Sequence, residues 1–406
     1  MKISEITDGV CAPKGFRTAA VSCGIKKKGA DRLDLALIYS DHPTVGAAVF
    51  TKNEVKAAPV RLSAANIKAR EPRAIIANSG NANACTGETG RQNAEAMVAA
   101  TAQALGLDPE EVQVCSTGII GLNMPIERIV PRIPELADGL GSNNDDVARA
   151  IMTSDTKPKT YAVEYEESDG TKVRIGAIAK GAGMINPNMA TMFCFVTTDA
   201  AISREKLESA TKTAVDQSFN CISVDGDMST NDTVIVIANG QAGNSDVSDT
   251  FQDALNEVML NLAKKMVSDG ERVTKLVTVR VKGAKSRDDA EKAARAVSNS
   301  KLVKCSWNGN DPNWGRIIHA VGYSGAQIEE SKISISFNDL PACENGLTSP
   351  TPLDDLASAV ENNQFTVGID LNLGDGEFTM YTADLSPEYV VFNREEYALT
   401  RNRIEG

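Results

Sequence analysis

Residues 180–192 read Lys-Gly-Ala-Gly-Met-Ile-Asn-Pro-Asn-Met-Ala-Thr-Met, and the four residues that follow are Phe193-Cys194-Phe195-Val196. The second run predicts a buried strand, so the first is a polar loop that enters this strand at Thr191. If the Ala190–Thr191 bond were cut, Thr191 would carry a free α-amino group beside its own hydroxyl group. One residue would then supply both nucleophile and base. A loop threonine with a local hydrogen bond is the simpler interpretation, so the choice depends on the rest of the chain.

The length and composition are those of a globular protein. At 406 residues the chain is too long for one ordinary core, so we expect two domains or one large two-lobed α/β unit. The net charge of −12 argues against nucleic acid and anionic membranes as partners, because phosphate groups would be repelled. No apolar run is long enough for a membrane span, and the N-terminal residues lack the apolar segment of a signal peptide. We therefore expect a cytoplasmic protein.

Cysteine and histidine are placed in a way that argues against metal sites and histidine-based catalysis. The eight cysteines are spread singly and form no Cys-x-x-Cys pair, so neither a metal site nor a redox dithiol is predicted. The sequence has two histidines, His42 and His319, and neither lies in a recognisable catalytic motif. A Ser-His-Asp mechanism, which requires a catalytic histidine, therefore has little support in the sequence. This favours a nucleophile that supplies its own base.

Alternating strand and helix patterns run along the chain and predict the α/β class. Strands are predicted at 45–50, 73–77, 111–115, 161–165, 172–178, 192–197, 275–281, 332–337, 365–371 and 378–382. The strands at 161–165 and 172–178 are predicted to form a hairpin around Ser168-Asp169-Gly170. Helices are predicted at 92–105, 145–151, 204–217, 250–267 and 286–297. The sequence has no internal repeat and no Gly-rich phosphate loop, so nucleotide use has no support in it.

Three polar segments are candidates for a site. Ser116-Thr117-Gly118 predicts a tight turn just past a strand, where neighbouring N–H groups could form an oxyanion hole; a plain turn is the alternative. The segments 78–83 and 225–232 are dense in turn-forming residues, and we interpret them as hydrogen-bonded loops that shape a pocket. Glu271 comes at the end of a predicted helix, where an acid opposes the helix dipole. A cationic substrate group would explain it, and an exposed, slightly unfavourable glutamate is the alternative.

Long motifs in this chain closely resemble those of the ornithine acetyltransferase family, the bifunctional glutamate N-acetyltransferases of arginine biosynthesis. The resemblance runs through nearly the whole chain. Its motifs are Ala12-Pro-Lys-Gly-Phe-Arg17, Asn78-Ser-Gly-Asn-Ala-Asn-Ala-Cys-Thr-Gly87, Ser116-Thr-Gly-Ile-Ile-Gly121, Ile151-Met-Thr-Ser-Asp-Thr156, Lys180-Gly-Ala-Gly-Met184, Met189-Ala-Thr-Met192, Ser218-Phe-Asn220, Val224-Asp-Gly-Asp-Met-Ser-Thr-Asn-Asp232 and Asp311-Pro-Asn-Trp-Gly-Arg-Ile317.

The resemblance implies a two-lobed, self-processing fold of the ornithine acetyltransferase and aminopeptidase type, with sheets sandwiched by helices. The chain would cleave itself before Thr191 into an α chain, 1–190, and a β chain, 191–406, which typically stay together as α2β2. Thr191 would then accept the acetyl group of N-acetylornithine and pass it to glutamate. In bifunctional members acetyl-CoA also donates, so it is a candidate co-substrate; no other cofactor is implied.

The resemblance also assigns residues by position. They are Ala190 and Thr191 at the cleaved bond, Thr191 as nucleophile, Thr117 and Gly118 as oxyanion residues, and Thr153, Lys180, Thr191, Glu271, Asn393 and Thr400 as substrate-binding residues. These roles make physical sense. An N-terminal amine has a pKa of about 8, so it can take the hydroxyl proton without a histidine. Lys180 and Glu271 supply the two charges that a zwitterionic amino acid requires.

Three departures from the family pattern bear on the substrate. Arg272-Val273 stands where the family usually has Gly-Ala, and Lys304-Cys305-Ser306 stands where it has Lys-Thr-Ala. The C-terminal motif contains an insertion between Asn393 and Thr400. A hydrolase or aminopeptidase of the same fold therefore stays open as an alternative, with water in place of the amine acceptor. A degenerate paralogue is a third hypothesis, against which the intact Lys180 and Thr191 speak.

Overall fold

The computed structural model of this chain describes residues 3–26, 32–186 and 192–395. In chain order its strands are β1 (Ser4–Ile6), β2 (Phe16–Val21), β3 (Leu35–Ser40), β4 (Val45–Phe50), β5 (Ala74–Asn81), β6 (Val112–Ile119), β7 (Lys159–Glu166), β8 (Lys172–Lys180), β9 (Phe193–Thr198), β10 (Ile222–Ser223), β11 (Thr233–Ala238), β12 (Leu276–Ala284), β13 (Ser334–Phe337), β14 (Leu340–Glu344), β15 (Leu347–Thr348), β16 (Gln364–Asp370) and β17 (Gly376–Ala383).

The α-helices are α1 (Ala58–Ala69), α2 (Gly87–Leu105), α3 (Ile126–Ile129), α4 (Ile133–Asp138), α5 (Asn144–Ala150), α6 (Arg204–Asp216), α7 (Asp249–Ser268), α8 (Arg287–Asn299), α9 (Lys301–Asn308), α10 (Trp314–Gly322) and α11 (Leu353–Glu361). Residues 387–395 are also helical. Single turns of 3-10 helix occur at Gly9–Cys11, Pro109–Glu111, Val130–Arg132, Phe219–Cys221 and Glu330–Lys332.

The described residues form two compact units. The first contains the described residues up to 220 together with 227–266, and the second contains 221–226 and the described residues from 267 onward. Residues on both sides of the predicted cleavage point at 190 and 191 belong to the first unit. The predicted α and β chains concern a covalent cut rather than compact units, so that division stays a prediction.

Two sheets face each other in the first unit. The first sheet has the order β1-β7-β8-β9-β11-β4, and the second has the order β2-β3-β5-β6. Apolar side chains from both sheets and from α5 fill the space between them, including Ile75, Cys115, Phe193, Phe195 and Ile237. Full burial of each such large side chain contributes about 2 kcal/mol. The other face of the second sheet packs on α1, α2 and α4, and α6 packs on β4 of the first sheet.

Four strands of the first sheet, β4, β7, β8 and β9, lie where the sequence predicts strands, whereas β1 and β11 are not predicted. The predicted hairpin is confirmed: β7 and β8 pair in antiparallel register from Lys159↔Ala179 to Glu166↔Lys172. Gly170 has φ +82° in the connecting turn, a conformation that favours glycine. All six residues of β9 are buried. This strand lies between β8, to which it is antiparallel, and β11, to which it is parallel.

The second unit is built on one sheet with the order β10-β17-β12-β16-β13-β14-β15. Burial alternates along β16, with Phe365, Val367 and Ile369 buried, as expected for a strand with one face covered. The covered face packs on α8, α10 and α11, and Trp307 of α9 is fully buried in the same core. The predicted helix at 286–297 is confirmed as α8, and Ser286 caps it by accepting a hydrogen bond from the backbone N–H of Asp289.

The mixed α/β class is thus confirmed, with sheets packed between helices. The cysteines among the described residues form no disulfide: Cys23, Cys115, Cys194, Cys221 and Cys343 are buried, Cys11 is half-buried, and Cys85 and Cys305 are exposed. Within the described ranges, no helix combines the length and the apolar character needed to cross a membrane.

Candidate active site

Two buried polar side chains from different sheets meet in the first unit. Lys180 is the last residue of β8, and Thr117 lies in β6. Each is only 2% exposed, and the Nζ of Lys180 donates to the Oγ1 of Thr117 across 3.3 Å. An ammonium group has donors and no acceptor, so the Thr117 oxygen must accept, and its own hydrogen is free for another acceptor. The structure therefore brings together two of the residues that the sequence singles out.

Gly118 lies next to Thr117, and here the local prediction is wrong. Ser116-Thr117-Gly118 is not a turn past a strand but part of β6, because the pairing of β6 with β5 continues as far as Ile119 through an irregularity at Gly80–Asn81. Gly118 has φ +133°, and a Cβ on it would lie 2.3 Å from the carbonyl carbon of Gly80. The position therefore requires glycine.

A network of asparagines and backbone groups holds this part of β6. The Oγ of Ser116 donates to the Oδ1 of Asn78 at 2.6 Å, and the Nδ2 of Asn78 donates to the carbonyl of Asn81 at 3.0 Å. The N–H of Ala82 donates to the carbonyl of Ile119 at 3.0 Å. The dense polar segment at 78–83 is hydrogen-bonded as the sequence predicts, but the prediction of a loop is wrong for residues 78–81, which form the end of β5 and pair with β6.

Asp155 organises the surroundings of Lys180, although sequence reasoning assigns it no individual role. Its carboxylate accepts hydrogen bonds from the Nζ of Lys159 at 2.7 Å, from the N–H of Gly181 at 2.7 Å and from the N–H of Thr153 at 3.0 Å. Burial alone would raise the pKa of this carboxyl, but the nearby Lys180 and Lys159 and the Gly181 N–H outweigh burial and hold its pKa at about 2. The acid is therefore ionised, and it fixes the backbone at Gly181, directly after the lysine, and at Thr153.

Thr153 is a half-buried residue of the same region, and its backbone is held by Asp155. The only hint of Asp155 in the sequence is its place in the motif 151–156, two residues after Thr153. Lys26 is a second residue that sequence reasoning missed. Its Nζ donates to the carbonyl of Leu33 at 2.9 Å, and burial, followed by the charge of Arg32, lowers its pKa to about 8.

The predicted nucleophile itself lies outside the described residues, as do Ala190 and Thr400. The chain is described again from Met192, and β9 begins at Phe193, in the predicted place. The backbone N–H of Met192 donates to the Oδ1 of Asp232 at 2.9 Å. The roles assigned to Ala190, Thr191 and Thr400 therefore stay predictions.

Two further candidate residues meet in the second unit. The Nδ2 of Asn393 donates to the Oε2 of Glu271 at 3.2 Å. Helix α7 ends at Ser268, so Glu271 follows the helix rather than ending it, and the helix-dipole argument for its role is wrong. Arg272 has φ +58°, a backbone conformation that favours glycine, and its guanidinium stacks on Phe392 at 4.9 Å. Arg272 stands where the family usually has glycine, and its backbone keeps a conformation that is typical of glycine.

Among the residues that the structure describes, no group of three or more His, Cys, Asp or Glu side chains is arranged to hold a metal ion. The described part of the site offers a buried cation on β8, and a hydroxyl group and a glycine N–H on β6. Hydrogen-bond donors of this kind in a buried place can stabilise negative charge that develops on a carbonyl oxygen.

Comparison with known proteins gives a consistent family. The model of the ArgJ family matches residues 17–398. The arginine biosynthesis bifunctional protein ArgJ of Geobacter sulfurreducens is 50% identical over 390 residues, which are 94% of this chain and 98% of that protein. The glutamate N-acetyltransferase of Methanocaldococcus jannaschii is 43% identical over 96% of this chain and 98% of its own length. A crystal structure of the arginine biosynthesis bifunctional protein argJ from Bacillus halodurans is 35% identical, with a TM-score of 0.48, and covers 50% of this chain and 98% of that one.

Proposed function

The chain belongs to the ArgJ family, and from this premise we infer that it is a glutamate N-acetyltransferase of arginine biosynthesis. We propose that it transfers the acetyl group of N-acetylornithine to glutamate through an acetyl ester on Thr191. The observation that carries this proposal is the buried contact of Lys180 with Thr117, directly beside Gly118. It supports the assignment of these three residues to one site.

The first step proposed is self-processing. The hydroxyl oxygen of Thr191 attacks the carbonyl carbon of Ala190, the Ala190–Thr191 peptide bond breaks, and the hydroxyl proton moves to the departing nitrogen. Water then hydrolyses the resulting ester, which leaves a carboxylate on Ala190 and a free amine and hydroxyl on Thr191. β8 and β9 are adjacent in the first sheet and pair from Lys180↔Phe193 to Ile175↔Thr198. These hydrogen bonds would hold the α and β chains together after the cut.

Acetyl transfer then takes two half-reactions. The Thr191 amine takes the hydroxyl proton, and the oxygen attacks the acetyl carbonyl of N-acetylornithine. The Thr117 hydroxyl and the Gly118 N–H donate to the oxyanion that forms. Collapse breaks the amide bond, and the departing ornithine amine takes the proton back from the Thr191 ammonium. The amine of glutamate then attacks the ester, which releases N-acetylglutamate and restores the Thr191 hydroxyl.

Further parts of the proposal rest on the family resemblance alone. Thr153, Lys180, Glu271, Asn393 and Thr400 bind the substrates, acetyl-CoA serves as a second acetyl donor, and the processed chains assemble as α2β2 in the cytoplasm. The buried cation of Lys180 suits a substrate carboxylate, and the Glu271 carboxylate suits a substrate ammonium group.

The experiment is a measurement of N-acetylglutamate formation from N-acetylornithine and glutamate, with acetate measured in parallel. We expect ping-pong kinetics, since both half-reactions share one ester, and little acetate when glutamate is present. Acetate release that does not respond to glutamate would support the hydrolase instead. Absence of N-acetylglutamate with either N-acetylornithine or acetyl-CoA as donor would contradict the transferase. Thr191→Ala is the control without a nucleophile.

A further inference from the structure

Two consecutive residues, Asn231 and Asp232, bind to two separate parts of the proposed catalytic apparatus. Asn231 contacts the strand that carries Thr117 and Gly118, and Asp232 contacts the first described residue after Thr191. Both side chains are buried, at 4% and 0% exposure. The sequence alone predicts only that they belong to a hydrogen-bonded loop.

Asn231 fixes one peptide group of β6. Its Nδ2 donates to the carbonyl oxygens of Ser116 and Ala82, each at 2.7 Å. The Ser116 carbonyl and the Thr117 N–H belong to the same planar peptide group. Holding the carbonyl oxygen therefore fixes the plane from which Thr117 and Gly118 continue. The Oδ1 of Asn231 accepts from the Thr230 hydroxyl at 2.5 Å, so both ends of the amide are engaged.

Asp232 fixes the peptide group that precedes β9. Its Oδ1 accepts the N–H of Met192 at 2.9 Å, and this N–H belongs to the peptide that joins Met192 to residue 191. Its Oδ2 is buried and has no hydrogen-bond partner among the described residues. Burial raises the pKa of this carboxyl well above its usual value, against the opposing effects of the Met192 N–H, the neighbouring Thr51 hydroxyl and the charge of Lys180.

The segment that carries both residues is itself held at several points. The N–H of Thr51 donates to the carbonyl of Asp232, and the N–H of Ala57 donates to the carbonyl of Thr230, each at 3.0 Å. The Oγ1 of Thr51 donates to the carbonyl of Ser229 at 2.8 Å. The backbone of residues 229–232 is thus anchored and the side chains of Asn231 and Asp232 are buried. The segment can therefore hold β6 and β9 in fixed positions relative to each other.

We propose that Asn231 and Asp232 are positioning residues that set the placement of the nucleophile-bearing strand relative to the oxyanion strand. They are positioning rather than catalytic residues, since their described contacts are with neighbouring backbone groups and the Thr230 hydroxyl and not with reacting atoms. This inference rests on the proposed function, because it concerns the geometry in which Thr191 meets Thr117 and Gly118. A displacement of about 1 Å in such a geometry costs about 100-fold in rate.

The first test compares Asn231→Leu with Asn244→Leu. Asn244 is a matched control: it is 5% exposed, and its Nδ2 also donates to two carbonyls, those of Ala201 at 3.1 Å and Asp246 at 2.9 Å. Each substitution removes a buried side-chain amide that donates to two backbone carbonyls, so we expect both variants to lose thermal stability. Only Asn231→Leu should lower kcat, by about 10- to 100-fold with KM little changed. If a leucine variant does not fold, the alanine variants at both positions replace the pair, since water can then reach the two carbonyls.

The second test separates geometry from proton transfer at Asp232. Asp232→Asn keeps an oxygen for the Met192 N–H, whereas Asp232→Ala removes it. We expect kcat close to that of the wild type for Asp232→Asn and a fall of about 10- to 100-fold for Asp232→Ala. Asp199→Ala is the control, because Asp199 is also fully buried and accepts two backbone N–H groups, those of Arg174 at 2.8 Å and Lys14 at 3.2 Å. It should lose stability and keep kcat.

All rates are divided by the amount of cleaved chain, so that slow self-cleavage is not mistaken for slow acetyl transfer. The inference is overturned if Asn231→Leu behaves as Asn244→Leu does, or if Asp232→Asn is as impaired as Asp232→Ala. The second result would make Asp232 a proton-transfer group rather than a positioning residue. A wild-type protein without transferase activity would instead reject the proposed function, so the two failures are distinguishable.

Discussion

The Nζ of Lys180 lies 3.3 Å from the Oγ1 of Thr117, and this hydrogen bond joins the end of β8 in the first sheet to β6 in the second. Asp155, ionised and buried, neutralises part of the positive charge and holds the N–H of Gly181, the residue after Lys180. The bond to Thr117 and the anchored backbone at Gly181 therefore place the ammonium group beside Thr117 before any substrate arrives. Such preorganisation is what makes donors in a buried site effective.

Replacing Lys180 by methionine removes the donor and the charge while keeping most of the side-chain volume. We expect kcat/KM for acetyl transfer to fall by about 100-fold or more, because Thr117 loses its partner and the substrate carboxylate loses its cation. Lys304→Met is the matched control, since Lys304 is a buried lysine of the second unit that donates to the Oγ1 of Thr382 at 2.8 Å. An active Lys180→Met enzyme would contradict the proposed site.

Gly118→Ala should abolish transfer through a steric effect on β6. The added Cβ would lie 2.3 Å from the carbonyl carbon of Gly80 and 2.5 Å from the nitrogen of Asn81, and φ is +133°. We expect a stability loss of about 3 kcal/mol and a fall in kcat of about 100-fold, measured by urea unfolding and initial rates. Gly106→Ala is the control: φ is +66° there, and a Cβ would meet no atom within 4 Å. It should cost about 1 kcal/mol and leave kcat unchanged.

Asp155→Asn should destabilise the fold in a way that depends on pH. The pKa of Asp155 is about 2 in the folded chain, below the value of about 3.9 expected in the unfolded chain. The stabilisation from its ionised form is therefore present above about pH 4 and is lost as the pH falls towards 2. We expect a loss of about 3 kcal/mol at neutral pH, because Lys159 and Lys180 stay buried without their acid. Urea unfolding as a function of pH tests this, and a difference that does not shrink below pH 4 would be inconsistent with it.

Lys304 gives a second dependence on pH, which has the same sign as that of Asp155 but lies in the alkaline range. Burial, opposed by Asp384 and Asp225, lowers the pKa of Lys304 to about 7, against about 10.4 in an unfolded chain. Between these values the unfolded chain binds more protons, so the contribution of Lys304 to stability rises with pH. We expect the free energy of unfolding of the wild type to increase relative to that of Lys304→Met from about pH 7 to about pH 10. A constant difference over that range would show that the lysine does not titrate there.

Local patterns of the sequence were sufficient to predict much of the fold. The period-2 alternation and the Asp169-Gly170 turn predict the β7–β8 hairpin, and the apolar run after Met192 predicts β9. The family motifs name Thr117, Gly118 and Lys180, and the structure brings these three together. Each of these patterns lies within a few neighbouring residues, so it can be recognised without knowledge of the tertiary structure.

The supporting residues could not be predicted in the same way. Asn231 meets Ser116 across 115 positions of the chain, and Asp232 meets Met192 across 40. Both contacts depend on how β11 pairs with β9 and on how the second sheet faces the first. The composition of residues 225–232 indicates hydrogen bonding but not its partners. The error at Gly118 has a similar cause, since pairing with β5 extends β6 beyond the point where polar residues suggest a turn.

The most direct test of the whole account is the intact mass of the denatured protein after incubation with N-acetylornithine and without glutamate. We predict two chains, 1–190 and 191–406, of which the second begins with Thr191-Met192-Phe193 and is heavier by one acetyl group. Thr191→Ser should still be cleaved, more slowly, and Thr191→Ala should stay one chain without acetyl. A wild-type protein that remains a single chain of 406 residues, or that is cleaved and never gains the acetyl group, would contradict the account.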